Sequence, residues 1–128
     1  MNNIFGVGTD IIDILRVKKL LKKNTKFKKK VFSVKEIIHC ESQSNKIASY
    51  SKRFAAKEAF AKALGTGISN GISFNEISII NNKNGAPFIE LLRKTKTIVN
   101  NLIKRKYKIY LSLSDEKKYA LAMVIISC

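Results

Sequence analysis

The chain has 128 residues, 45% of them hydrophobic, and its 25 basic and nine acidic side chains give a formal net charge of +16. That length can bury one core without metal or disulfide staples, and the apolar fraction excludes wholesale disorder. The two cysteines, Cys40 and Cys128, lack CxxC spacing, which excludes a zinc ribbon, a thioredoxin-type motif and a disulfide framework.

In chain order, Ile4 to Gly8 reads as a short first strand that ends at Thr9-Asp10. Leu15, Leu20 and Leu21 among lysines predict an amphipathic helix after it. Ser33-Val34-Lys35-Glu36 is a capping-box pattern that should open a short helix through Ile37, Ile38 and Cys40. Lys46 to Leu64 is rich in Ala, has no Gly or Pro and stops at Gly65, which predicts a long helix. Its Ala55, Ala59 and Ala63 lie four apart, a small-residue face that lets another element approach closely. Phe74 to Ile80 and Pro87 to Leu92 predict a strand pair around a turn at Asn81 to Gly85. Thr95 to Arg105 follows as a helix, then Ile109, Leu111 and Leu113 alternate with polar positions as a strand. Asp115 to Lys118 turns the chain into a closing strand, Tyr119 to Ser127. No linker or repeat divides residues 1–128, so the expected architecture is a single α+β domain with a mainly antiparallel sheet packed against a long central helix.

Free thiols fit a reducing compartment. The first residues lack the layout of a signal peptide, and the longest apolar run, Ala120 to Ile126, is too short to span a bilayer. The expectation is a cytoplasmic protein. Its charge has two readings. Lys, Ile and Asn supply 50 residues, with 21 Lys to 4 Arg, a bias that AT-rich coding produces without selection for charge. Yet nine lysines and no acid stand between Val17 and Lys35, which reads either as a solvated helix face or as a docking surface for an acidic partner.

Few residues can carry chemistry. Gly65-Thr66-Gly67-Ile68-Ser69-Asn70-Gly71 follows a helix, whereas a dinucleotide loop follows a strand and opens a helix, so that reading fails. His39 is the sole histidine, which excludes two-histidine metal sites and leaves no ordinary catalytic triad. Asp10, after Gly6-Val7-Gly8, is either a carboxylate pointing into a cleft or a helix cap, a role Asp13 could equally fill. Glu58 is either the partner of Lys62 in a surface pair or a metal-binding carboxylate beside the phosphate-binding cations Arg53 and Lys57.

Gly6-Val7-Gly8-Thr9-Asp10 and Phe54-Ala55-Ala56-Lys57-Glu58-Ala59-Phe60-Ala61-Lys62-Ala63-Leu64-Gly65-Thr66-Gly67-Ile68 together resemble the holo-acyl-carrier-protein synthases, members of the 4′-phosphopantetheinyl transferase superfamily. Arg16, Ser73-Phe74-Asn75-Glu76-Ile77, Asn84-Gly85-Ala86-Pro87 and Ser112-Leu113-Ser114 extend the likeness over essentially the whole chain. The resemblance implies transfer of the phosphopantetheine arm of coenzyme A to a serine of apo-acyl carrier protein, with release of adenosine 3′,5′-bisphosphate. It implies Mg²⁺ held by Asp10 and Glu58, and Lys62 near the coenzyme A phosphates, with Glu58 and Lys62 as catalytic residues. Arg53 would meet the 3′-phosphate, and Gly65, Thr66, Gly67 and Pro87 would help hold the nucleotide. It also implies a homotrimer with sites between subunits, and neither a nucleic acid nor a membrane as partner. Because acyl carrier proteins are acidic, Arg16, Lys19, Lys22 and Lys23 become the expected docking residues.

One position departs from the family pattern. Many relatives carry His shortly after the Ser-x-Ser/Thr strand, where this chain has Asp115, which cannot donate to a phosphate. Serine deprotonation would then fall to Glu58 or a metal-bound water. The alternative to the transferase reading is a basic nucleic-acid-binding or ribosome-associated domain, which explains the charge but leaves Asp10 and Glu58 without purpose.

Overall fold

The computed structural model describes residues 3–67 and 71–128. Ile68, Ser69 and Asn70 of the glycine-rich loop lie outside the described residues, as do Met1 and Asn2. The elements run β1 (Ile4–Asp13), α1 (Ile14–Lys23), α2 (Phe27–Val31), α3 (Val34–Glu41), α4 (Lys46–Leu64), a 3₁₀ turn (Phe74–Glu76), β2 (Ile77–Asn81), β3 (Pro87–Leu91), α5 (Arg93–Ile103), β4 (Lys108–Asp115) and β5 (Tyr119–Ser127). The strands form two antiparallel sheets, one in the order β1-β5-β4 and the other a β2-β3 hairpin. The expected α+β architecture with a long central helix is what is observed.

Helix α4 organises the molecule. It occupies the expected 19 residues, about 28 Å of axis. Asn45 caps its start by accepting from the Ala48 amide, and Gly65, at φ 82°, ends it. All but a few of its side chains are buried, because the inner face of β1-β5-β4 covers one side and aromatic rings cover another. Phe54 meets Phe27 and Phe74 edge-on at 5.8 and 5.7 Å between centroids, and Phe32 lies 4.8 Å from Tyr50.

Three differences from the sequence expectation have physical causes. Strand β1 does not end at Thr9-Asp10 but continues to Asp13, since Ile11 and Ile12 pair with Leu121 and Ala120 of β5. Phe74 to Glu76 form a 3₁₀ turn ahead of β2 rather than part of the strand. Helix α2, hidden in the lysine run, is fixed by burial of Val31 and by the Phe27 ring. The capping box is present as expected: Ser33 Oγ accepts from the Glu36 amide while Glu36 Oε1 accepts from the Ser33 amide at 2.9 Å.

Strand alternation gives the three-stranded sheet two unlike faces. Ile12, Ala120, Ala122, Val124 and Ile126 turn inward and are buried. Val7, Ile11, Tyr110, Tyr119, Leu121 and Met123 turn outward, adjacent by register, and stay exposed. Such an apolar face is larger than scattered surface hydrophobics explain.

Candidate active site

Gly6, Gly8 and Asp10 occupy alternate positions of β1 and so share the face turned to α4. A Cβ on Gly6 would lie 1.8 Å from the Ala63 carbonyl oxygen, and one on Gly8 1.8 Å from that of Ala59. Backbone therefore packs against backbone, and the small-residue face of α4 is the reason the helix can come so near. Asp10, two residues further along β1 and so further from the C-terminal end of α4, has a side chain, which meets Lys62. Lys62 Nζ donates to Asp10 Oδ1 at 3.2 Å and to the Thr9 carbonyl at 2.9 Å. The lysine that follows Glu58 by one helical turn is thus paired with Asp10, not with Glu58. Asp13, not Asp10, is the helix cap: its Oδ1 accepts from the Leu15 amide at 2.9 Å.

Glu58 is half-buried, and its carboxyl is pushed up from the ordinary carboxylate range, first by burial and then by the negative charge of Asp10. Lys62 and Arg16 act in the opposite direction without cancelling the shift. A carboxyl raised by a neighbouring carboxylate belongs to a donor set short of positive charge. No third His, Cys, Asp or Glu joins them among the described residues. That suits Mg²⁺, which takes one or two carboxylates and completes its shell with water and phosphate oxygens, and it does not suit a zinc or calcium cage. The donor set therefore fits the metal implied by the resemblance.

Lys57, next to Glu58, is in a different position altogether. It is wholly buried against a wholly buried Glu36, with Nζ donating to Glu36 Oε1 at 2.7 Å, to the Phe74 carbonyl at 2.8 Å and to the Ile77 carbonyl. Glu36 also accepts from the Ser33 and Ile79 amides. Burial lowers the Lys57 pKa to about 8, so at neutral pH it remains the ammonium that three acceptors require. This pair ties α3, α4, the 3₁₀ turn and β2 together, and Lys57 does not reach a ligand. A helical wheel holds the missed signal. Lys57 stands three residues from both Phe54 and Phe60, on the apolar side of α4, where a charge must find a partner.

A second group of residues surrounds a cavity of about 360 Å³ lined by Lys52, Arg53, Asn81, Gly85, Pro87 and Asp115 among others. Arg53 is only 3% exposed. One guanidinium nitrogen donates to Asn81 Oδ1 at 2.8 Å and another to Ser49 Oγ at 3.2 Å, while Nε is buried with no hydrogen-bond partner among the described residues. Pro87 and Arg53 thus line one cavity. Asp10, Glu58 and Lys62 do not line it. Five residues separate Arg53 from Glu58, roughly 140° around the helix, so the two groups lie on different sides of α4.

Gly65 and Gly67, both at positive φ, stand three and five residues after Lys62 and are open where a Cβ would stand, and Thr66 Oγ1 donates to the Gly67 carbonyl. On α1, Lys19, Lys22 and Lys23 are exposed and form no ion pair among the described residues. Elsewhere in the lysine run, Lys28 and Lys35 are tied to Glu41 and Glu90. Arg16, at the head of α1, is close enough to Glu58 to act on its titration. No described helix is long and apolar enough to cross a membrane.

Comparison with known proteins follows the same lines. A family model described as the 4′-phosphopantetheinyl transferase superfamily matches residues 6–124. A holo-[acyl-carrier-protein] synthase of Pelagibacter ubique is 47% identical over 124 residues, covering 96% of each chain. Among solved structures, the holo-[acyl-carrier-protein] synthase of Neisseria meningitidis is 34% identical with a TM-score of 0.87, covering 97% of this chain and 98% of its own. The holo-(acyl-carrier-protein) synthase of Bacillus anthracis in complex with CoA (3′,5′-ADP) is 31% identical with a TM-score of 0.78, covering 97% of this chain and 96% of its own.

Proposed function

The chain belongs to the 4′-phosphopantetheinyl transferase superfamily, and from that premise we propose that residues 1–128 form one transferase domain that moves the 4′-phosphopantetheine arm of coenzyme A onto a serine hydroxyl of apo-acyl carrier protein. The observation that carries the reading is the meeting of Asp10, Glu58 and Lys62 along the β1–α4 contact. The serine oxygen attacks the phosphorus that bears pantetheine, the bond to the nucleotide phosphate breaks, and adenosine 3′,5′-bisphosphate leaves. Mg²⁺ held by Asp10 and Glu58 would, when bound, screen the charge on the pyrophosphate oxygens. Lys62, an exposed ammonium released from Asp10, neutralises the leaving phosphate. With Asp115 where many relatives carry histidine, the serine proton falls to Glu58 or to a water beside the carboxylates. The nucleophile arrives on the partner, which is why the chain needs no triad.

The nucleotide rests in the Arg53 and Pro87 cavity, with the amides of Gly65, Thr66 and Gly67 on the phosphate side. One chain holds the carboxylates and the cavity on different sides of α4, so a complete site takes one half from each of two copies. The exposed apolar face of β1-β5-β4 supports such an assembly, and the proposed state is a homotrimer in the cytoplasm. Arg16, Lys19, Lys22 and Lys23 receive the acidic carrier. The test is intact-mass spectrometry of apo-acyl carrier protein incubated with this protein, coenzyme A and Mg²⁺. A mass gain of one phosphopantetheinyl group, lost when EDTA is added, is expected. No gain from a well-folded sample overturns the reading.

A further inference from the structure

The cavity around Arg53 contains a second cation that the reaction above does not use. Lys52, the preceding residue of α4, places Nζ 3.1 Å from Asp115 Oδ1 at the end of β4, with both side chains about one-third exposed (30% and 33%). Arg53 is held differently, nearly buried, with its terminal nitrogens engaged by Ser49 and Asn81. An anion entering the cavity meets Arg53 as a fixed charge already committed to its neighbours, and Lys52 as an exchangeable one. The Lys52–Asp115 pair is partly hydrated and joined by a single contact, so it is weakly held. A phosphate monoester offers the same ammonium nearly twice the charge and three acceptor oxygens. Asp115 weakens phosphate binding in two ways while the pair is intact, by its own charge and by detaining Lys52. His39, also in the lining, has its pKa lowered, first by burial and then by the nearby Arg53 and Lys52.

We infer that Lys52 is the exchangeable phosphate-binding cation of this cavity, that it leaves Asp115 when a nucleotide carrying a ribose 3′-phosphate binds, and that the pair sets the preference for coenzyme A over 3′-dephospho-coenzyme A. The inference rests on the coenzyme A reading given above and assigns to Lys52 and Asp115 the discrimination within it.

Calorimetric titration of the full chain with coenzyme A and with 3′-dephospho-coenzyme A tests it. The wild-type protein binds coenzyme A more tightly. Lys52→Met weakens coenzyme A about tenfold and leaves the dephospho form within about twofold, while Lys52→Arg retains most of the preference. Asp115→Asn tightens coenzyme A about threefold without a matching gain for the dephospho form. Equal losses for both donors in Lys52→Met, no loss in that variant, or weaker coenzyme A binding in Asp115→Asn overturns the inference. A wild-type protein that binds both donors equally, with transfer intact, overturns this inference alone. Binding of neither donor overturns the coenzyme A reading beneath it.

Discussion

Lys57 and Glu58 are neighbours in sequence and belong to different worlds of the same helix. Lys57 lies on the core side, fully buried, its charge answered by Glu36 and two carbonyls. Glu58 lies on the side turned to Asp10, half-buried, with negative charge left unanswered. Burial with every hydrogen bond satisfied makes a charge structural. Partial burial beside a like charge makes one reactive, because the missing counter-charge must come from outside the fold. The same motif thus supplies a bolt and a binding site one residue apart.

The largest expected effect falls on the closed pair. Glu36→Ala leaves Lys57 buried and unpaired and should lower stability by about 3–5 kcal/mol in denaturant unfolding, whereas replacing Glu36 and Lys57 together by leucine should cost less than Glu36→Ala alone. A loss below about 1 kcal/mol for Glu36→Ala would remove the contrast with Glu58. On the open side, Asp10→Ala and Glu58→Ala should each lower the transfer kcat/KM at least about a hundredfold, with the oligomer and the thermal midpoint little changed. Near-normal turnover in either variant would sink the two-carboxylate metal site. Unanswered positive charge on α1 should show a smaller and more selective effect. Reversing Lys19, Lys22 and Lys23 to Glu is expected to raise the KM for the carrier protein about tenfold and that for coenzyme A hardly at all. An equal rise in both would return those lysines to an ordinary solvated face. Smallest is a titration. In carboxyl ¹³C NMR of the metal-free protein, Asp10→Asn should move the Glu58 midpoint down, because a neighbouring negative charge is gone, and Lys62→Met should move it up, because a positive one is. Shifts of the opposite sign would place the carboxylates in separate environments.

Helix α4 was fully legible in sequence because alanine richness, the lack of breakers and a terminal glycine all speak at one local scale. The capping box at Ser33 and the alternation of β4 were legible for the same reason. The end of β1 was not, since Thr9-Asp10 looks like a turn until Leu121 and Ala120 of β5, more than a hundred residues away, supply partners for Ile11 and Ile12. Four lysines in the five residues from Lys26 to Lys30 masked α2, whose reason is a ring contact of Phe27 with Phe54. Of the candidate site, spacing leaves Asp10 and Glu58 each with an ordinary structural alternative, and the resemblance implies their roles and that of Lys62; the Lys62–Asp10 pair is not legible, because a strand–helix approach carries no local signature. Lys57 as a phosphate-binding cation is open to the sequence because the sequence does not show Glu36 folding back across 21 positions to meet it.

Where Gly6 and Gly8 lie on Ala63 and Ala59, the width of the carboxylate cleft is set by main chain against main chain. Such a gauge has no adjustable part. Repacking elsewhere in the core can soften or stiffen the protein without moving Asp10 relative to Glu58. A change of metal preference in this scaffold must therefore come through the chemical identity of positions 10 and 58 or the charges beside them, since no rotamer stands between strand and helix to be traded for a larger or smaller gap.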